Sequence, residues 1–233
     1  MFIRIVMNNK TLVISLGGSI NVPDKIDVDF LKKFRKLILD YVKEGNKVVI
    51  ITGGGKVCRR YIESAGKIAD VKAIDNDWVG IMATRLNAEL VRAIFSENAY
   101  EKVAVNPTKK VDSDKRIIIG CGWQPGCSSD MDAVLFAKNV KADTLVNLSN
   151  IEFVYDKDPN KFKNAKKLEK VSWKEFRKIV GDEWKAGMNL PFDPVASKEA
   201  EKIGLKVVIM KGTDLENFKS FLENKVFKGT VIS

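Results

Sequence analysis

The chain has no histidine in 233 residues. That absence removes every Ser–His or Cys–His nucleophile pair and any Cys/His zinc site. General acid–base work near neutral pH would fall to Asp, Glu, Lys or Tyr instead. Cysteine is scarce: Cys58, Cys121 and Cys127 are the full set. An odd number without paired spacing argues against a disulfide framework, and the three are expected to be small buried hydrophobes. No run approaches the roughly 18 apolar residues of a membrane helix. The opening MFIRIVM is too short for the apolar core of a secretory signal, and no small-residue cleavage site follows it. These absences together predict a cytosolic protein that engages no membrane.

What is present is ordinary for a globular chain: 45% hydrophobic and 30% charged residues. The length allows one large α/β domain or two lobes with ample core. Net charge is +10, from 40 basic and 30 acidic residues. Much of the excess lies in 157–185, where ten basic residues face five acidic ones. Aromatic residues do not interleave there in a stacking pattern. The segment therefore reads as a solvated lysine-rich surface near an anionic ligand, and no specific nucleic-acid partner is expected. An RNA-associated protein remains the weaker alternative.

Three stretches share one design. VVIITGGGK at 48–56 is an apolar, β-branched run that stops at three glycines and a lysine. It reads as a buried parallel strand. Its glycines let the backbone approach a ligand, and a helix beginning near Val57 adds a field that favours an anion. LVISLGGS at 12–19 and RIIIGCGWQPG at 116–126 repeat the pattern, the latter followed by CSSD at a helix start. None is a Walker A loop or a G-x-G-x-x-G fingerprint. Three glycine loops at strand ends suggest a long polyphosphate, or two phosphorylated ligands meeting end to end. Phosphoryl transfer rests on positioning and charge neutralisation more than on proton transfer. A lysine-rich, histidine-free chain suits it better than ester or amide hydrolysis.

The remaining pattern alternates. Strands are expected at 12–16, 47–52, 102–105, 116–119, 144–148, 205–210 and 229–232. Helices are expected at 27–43, 57–68, 75–96, 128–140, 173–180 and 194–202, the last entered through Asp193 and Pro194 and closed by Gly204. The alternation predicts a mainly parallel sheet with helices on both faces, and ligands at the carboxyl ends of its strands.

Six motifs in order carry a resemblance: LGGS at 16–19, TGGGK at 52–56, DWVGIMATRLNA at 77–88, GCGWQPGCSSD at 120–130, SNIEFVYDKDP at 149–159 and KGT at 211–213. The chain resembles the amino acid kinase family over nearly its whole length. Asp77 with the GIMATRLNA segment makes it most similar to the uridylate kinases of archaeal type. The resemblance implies a three-layer α/β/α sandwich with a mainly parallel central sheet. It also implies a single domain, with an acceptor lobe over about 1–148 and an ATP lobe over about 149–233. The implied reaction is ATP-dependent phosphorylation of UMP to UDP with Mg2+, in a homo-oligomer that is hexameric in that family.

The implied roles follow position by position. Gly17, Gly18 and Ser19 would hold the ATP phosphates, while Gly53, Gly54, Gly55 and Arg59 would lie along the UMP phosphate. Asp77, with Gly80 and Thr84 on the same helix, would contact the ribose or uracil. Ser128 and Ser129 stand where the family has a threonine pair and can donate to phosphate. Asp130 would orient the charged groups at the transferring phosphoryl. Asn150, Tyr155 and Asp158 would line the ATP base and ribose pocket, and Lys185, Gly187 and Met188 fall near a covering loop, with Lys185 expected among the catalytic groups beside Lys56 and Asp130. Asp77 and Asp130 each have a second reading as a helix cap. No residue is assigned as a metal ligand, and Asp132 is set aside because positions i and i+2 of a helix diverge.

One departure matters: Ser15 stands where many members carry a lysine that reaches the transferred phosphate. Lys56, at the end of the neighbouring glycine run, is the expected replacement cation. Kinases of other small acids or phosphates, and a non-catalytic nucleotide-binding protein for storage or regulation, are the alternatives.

Overall fold

In chain order the computed structural model, which describes residues 11–181, 183 and 190–233, runs β1 (Thr11–Leu16), α1 (Gly18–Asn21), α2 (Val28–Lys43), β2 (Lys47–Thr52), α3 (Gly55–Ile68), α4 (Ala73–Phe95), β3 (Ile117–Gly120) and α5 (Ser129–Val140). There follow β4 (Thr144–Ser149), the short strands β5 (Val154–Tyr155), β6 (Lys167–Leu168) and β7 (Lys170–Val171), then α6 (Trp173–Val180) and α7 (Pro194–Lys202). The chain closes with β8 (Lys206–Lys211), α8 (Leu215–Leu222) and β9 (Thr230–Ile232). Seven strands form one sheet in the order β3-β2-β1-β4-β8-β9-β7. Every pairing is parallel except β8 with β9. β5 and β6 form a separate antiparallel pair.

The strands are apolar on both faces because both faces are covered. Leu12, Ile14, Leu16, Val48 and Ile50 join a core with Phe34 and Ile38 of α2, Val91 and Phe95 of α4, and Phe218 of α8. The alternate residues Val13, Val49, Ile51 and Leu145 join a second core with Phe136 of α5, Phe176 of α6 and Ala196 of α7. This is the three-layer α/β/α architecture expected from the alternation. The same parity sends Ser15 and Asn147 toward α5. They are register partners across β1 and β4, and the only polar side chains between the apolar neighbours of their strands.

Local signals set the helix ends. Asp27 caps α2 by accepting from the Phe30 amide at 2.9 Å, and Gly45 takes a positive φ just beyond that helix. Ser172 and Glu175 close a reciprocal capping box on α6. Asp193 caps α7 ahead of Pro194, as the sequence predicts.

Three differences from the expected elements have physical causes. The strand expected at 102–105 shrinks to a single bridge, Ala104 to Gly120. A turn follows at once, in which Asn106 Oδ1 accepts from the Thr108 amide at 2.9 Å, and Pro107 has no amide to lend a ladder. α1, β7, α8 and the β5–β6 pair are absent from the expected elements, although Asp214 capping LENFKSFL is a legible helix start. α3 begins two residues earlier than expected, at Gly55 itself.

Phe34 is fully buried and stacks on Phe30 and Phe218, with ring centroids 5.7 and 6.3 Å away. Phe34→Ala should cost about 3–5 kcal/mol of stability. A lower urea midpoint with an unchanged slope is the expected reading.

Candidate functional site

β1 pairs with β2 on one side and with β4 on the other. The chain leaves these strands in opposite directions along the sheet, so a crevice opens at their carboxyl ends. Two glycine loops fill it. A Cβ on Gly18 would lie 2.2 Å from the Gly55 nitrogen and 2.5 Å from the Gly53 oxygen. Only two backbones without side chains pack this closely. Gly55 is also held at φ +66°, the left-handed region that glycine enters without strain. Asn87 of α4 braces the second loop, donating to Gly53 O at 2.8 Å and Gly54 O at 3.3 Å.

Two cavities open on this junction. The smaller, about 300 Å³, is lined by Ser15, Gly17, Gly18, Ser19, Gly53, Gly54, Gly55, Arg59, Ser129, Asp130, Asn147 and Asn150 among others. The larger, about 1060 Å³, lies against α3, α4 and the start of α5, and includes Asp77, Thr84, Ser128 and Asp132. Ser19, Gly54, Gly55, Arg59, Ser129 and Asn150 line both. Arg59 is the only cationic side chain among the described residues lining either cavity. Its guanidinium reaches across to Ser19 Oγ at 3.2 Å.

Most of the expected residues therefore converge, but several do so in a different capacity. The Thr84 hydroxyl is used inside the protein: it donates to Ile81 O at 2.7 Å and accepts from the Gly122 amide at 2.8 Å. Ser128 caps α5 by accepting from the Met131 amide at 3.1 Å, which leaves its proton free. That cap, and Lys72 preceding α4, exclude the readings of Asp130 and Asp77 as N-caps. Asp77 instead accepts from the Gly126 amide at 2.9 Å and so ties α4 to the loop before α5.

Lys56 is not brought to either cavity. Its ammonium pairs with Asp24 at 3.0 Å, and Arg60 pairs with the same carboxylate at 2.8 Å. The hydrogen bond from Lys56, then its charge, hold the Asp24 carboxyl below its usual range. The cause is helix phase: Lys56 and Arg60, four residues apart, share the face of α3 that meets Asp24, whereas Arg59, turned about 100° from Arg60, reaches Ser19 at the junction. Tyr155 pairs with Lys167 in the β5–β6 pair. Asp158 accepts from the Asn160 amide at 2.9 Å, and neither residue lines either cavity. Lys185, Gly187 and Met188 lie outside the described residues. The cysteines also depart from expectation. Cys121 is buried, but Cys58 and Cys127 are half-buried in the wall of the larger cavity. Burial raises all three thiols, Cys121 to about 11, so none is an activated nucleophile.

Sequence reasoning missed Asn87, Asn147 and the second role of Asp193. An asparagine inside the apolar strand TLVNLS was the available signal for Asn147. Its amide lies 3.5 Å from Asp130 Oδ1, while the Asp193 amide donates to Asp130 Oδ2 at 3.1 Å. Asp130 thus faces the small cavity with two neutral donors and no ion-pair partner among the described residues. Burial pushes its carboxyl up to about 7, against the pull of the Asp193 amide. Asp132 is pushed to about 7 as well, by burial first and by the charge of Asp130, against the Trp123 amide.

The crevice, its paired cavities and its close-packed glycine loops make a candidate phosphate-binding site on an α/β fold. The chain belongs to the amino acid kinase family, whose profile matches residues 10–211. It is similar to the uridylate kinase of Pyrococcus abyssi, 37% identical over 224 residues that cover 95% of this chain and 98% of that one. The uridylate kinase of Thermoplasma volcanium is 33% identical, covering 93% and 95%. Among solved structures, the uridylate kinase of Archaeoglobus fulgidus superposes with a TM-score of 0.82 at 32% identity, covering 95% of this chain and 99% of that one. A UMP kinase of Bacillus anthracis, 19% identical with a TM-score of 0.77, shares the fold. The family read from six motifs is the family the chain belongs to.

Two predictions follow from the geometry. Gly18→Ala should leave a folded protein with turnover lowered at least ~100-fold, since the methyl parts the two loops and displaces both ligands by about an ångström; wild-type turnover would show that the loops can slide. Asp130 and Asp132 hold protons more tightly folded than unfolded, from 3.8 up to about 7. Their contribution to stability is full below about pH 4 and is lost as pH rises through 7. Denaturant titrations across that window should show a decline that is shallower in Asp132→Asn.

Proposed function

We propose that this protein transfers the γ-phosphoryl group of ATP to UMP, giving UDP and ADP. The observation that carries the reading is the shared wall: two cavities of different size meet at Gly54, Gly55, Arg59 and Ser129. The curated relatives are uridylate kinases along almost their full lengths, and the larger cavity is read as the UMP site. The smaller, at Gly17, Gly18 and Ser19, is read as the seat of the ATP phosphates. Asn150, Tyr155 and Asp158 are assigned to the ATP side of the chain, from about residue 149 onward, and Lys185 to the catalytic groups.

An oxygen of the UMP phosphate attacks the γ-phosphorus. The bond to the oxygen bridging β and γ breaks, and ADP leaves with that electron pair. The attacking oxygen is already ionised at neutral pH, so no general base is needed, in keeping with a chain that has no histidine. Amides of both glycine loops and the Arg59 guanidinium oppose the charge spread over the transferring group. Arg59 takes the part expected of Lys56, because it lies where the cavities meet. Asp130, steadied by Asn147 and the Asp193 amide, orients the groups around the transferred phosphoryl. Bound to the ATP phosphates, Mg2+ would supply further charge neutralisation. Among the described residues no cluster of three acid or cysteine side chains offers it a protein cage, so the ion is read as arriving with the nucleotide.

Self-association belongs to the same reading. Ile74, Trp78, Met82 and Leu86 are 42–66% exposed and recur every four residues along α4. Such a stripe is self-complementary about a two-fold axis, and a second copy is its proposed occupant. Light scattering on Met82→Glu should show a smaller assembly than wild type; an unchanged mass would place the contact elsewhere.

A panel of nucleoside monophosphates incubated with ATP and Mg2+, read by chromatography, tests the activity. UMP should be converted fastest, with CMP and dUMP slower; AMP or GMP matching UMP would contradict the assignment. Arg59→Met should lower kcat/KM for UMP on the order of 100-fold, and Lys56→Met less than threefold. The reverse order would return the role to Lys56.

A further inference from the structure

The segment from Cys121 to Ser128 joins β3 to α5 and belongs to neither. Its Gly122, Cys127 and Ser128 line the larger cavity. Side chains from the two flanking helices hold its peptide groups. The Gly122 amide donates to Thr84 Oγ1 at 2.8 Å, the Trp123 amide to Asp132 Oδ2 at 3.3 Å and the Gly126 amide to Asp77 Oδ2 at 2.9 Å. Arg85 Nη2 donates to Trp123 O at 3.3 Å. Three of these four side chains stand on α4. The bond to Thr84 is the shortest of the four and is buried.

Thr84 is set up as an acceptor at this point. Its hydroxyl proton goes to Ile81 O, one turn back in the helix, at 2.7 Å. A lone pair is left for the Gly122 amide. The approach leaves no room for a side chain on the loop: a Cβ on Gly122 would lie 2.8 Å from Thr84 Oγ1 and 3.5 Å from Ile81 Cα. The same residue also holds the opposite loop. Thr52, the fully buried last residue of β2, donates its hydroxyl to Thr84 O at 2.9 Å. The carbonyls of Gly53 and Gly54, next in the chain, accept from Asn87, three residues further along α4. Two loops that leave different strands are thus referred to one residue, one through its carbonyl and the other through its hydroxyl.

We propose that Thr84 is a positioning residue that sets the length of the acceptor site, a reading that rests on the larger cavity being the UMP site. Gly54, Gly55 and Arg59 border the cavity at its phosphate end, and Gly122, Cys127 and Ser128 border it from the loop before α5. An acceptor held between them meets the donor at the right distance only while the two loops keep a fixed separation. Strand pairing does not set that separation. The ladder between β2 and β3 ends at Ile51 and Gly120, and both loops begin beyond it. Thr84 ties them just past that end, at Thr52 on one side and Gly122 on the other. It acts through the loops it joins, and not as the nucleotide-contacting hydroxyl that the resemblance implies.

The test compares wild type, Thr84→Val and Thr84→Ser for KM and kcat with UMP, for KM with ATP, and for the urea midpoint. Valine keeps the shape of threonine and removes the acceptor, whereas serine keeps the acceptor. Valine should raise the KM for UMP about 10-fold and lower kcat by a similar factor, because the loop before α5 is no longer held in register. The KM for ATP should stay unchanged. Serine should keep the KM and kcat for UMP within about threefold of wild type. Amide hydrogen exchange at Gly122 should quicken in the valine variant and not in the serine variant. A residue that only stabilises the fold would lower the urea midpoint and leave the KM for UMP where it was. An unchanged KM for UMP in the valine variant, an equal rise for ATP, or a serine variant as impaired as the valine variant overturns the proposal. If the valine variant does not fold, Gly122→Ala decides, since its methyl pushes the loop off Thr84 without altering α4; a wild-type KM for UMP there overturns the proposal. A wild-type protein that does not phosphorylate UMP at all removes the underlying reading of the site instead.

Discussion

Two glycine loops pressed backbone against backbone are the constraint on which the rest of the site depends. Gly18 and Gly53–Gly55 approach so closely that a single methyl would strike main-chain atoms. Their contact fixes the distance between the ends of β1 and β2, and so the place where the two cavities touch. Asn87 braces one loop from α4, and Arg59 reaches from α3 to Ser19 in the other. The remainder of the fold, a sheet buried on both faces between two cores, holds the strand ends rigid enough for this to persist.

The site manages charge with few fixed cations. Ser15 and Asn147, neighbours across β1 and β4, make a neutral floor where an ammonium could have stood. With none there, Asp130 keeps only neutral donors, and burial drives its carboxyl toward neutrality. Arg59 is then the fixed positive charge among the described lining residues, placed where the two cavities meet. The acids on α5 divide by helix geometry. Asp130 lines the smaller cavity and Asp132 the wall of the larger one, so one helix turn borders both.

The fold was largely legible because its signals are local: β-branched runs, amphipathic periods and caps such as Asp193 before Pro194. The glycine loops were legible because close approach demands a particular residue type. What could not be read was the destination of long or mobile side chains. Arg59 was expected at the junction and lies there, but Lys56 was not legible: helix phase puts it with Arg60 on Asp24, away from both cavities. Thr84 is indistinguishable from a ligand hydroxyl until Gly122 and Ile81 are seen to occupy it. Asp132 was set aside because it diverges from Asp130, which is correct for a shared site and misses that a second cavity lies on its own side. Asn147 was readable as a polar residue in an apolar strand, but its partner Asp130 lies on another element.

The central claim is that the two nucleotides meet end to end at the glycine junction. Calorimetric titration with a uridine and an adenosine joined through five phosphates tests it most directly. The account predicts one molecule bound per chain, more tightly than either nucleotide alone, and displaced by both UMP and ATP. Binding no tighter than ATP, or displacement by only one of the two, would mean that the cavities do not form a continuous track and that this junction is not where the phosphoryl group passes.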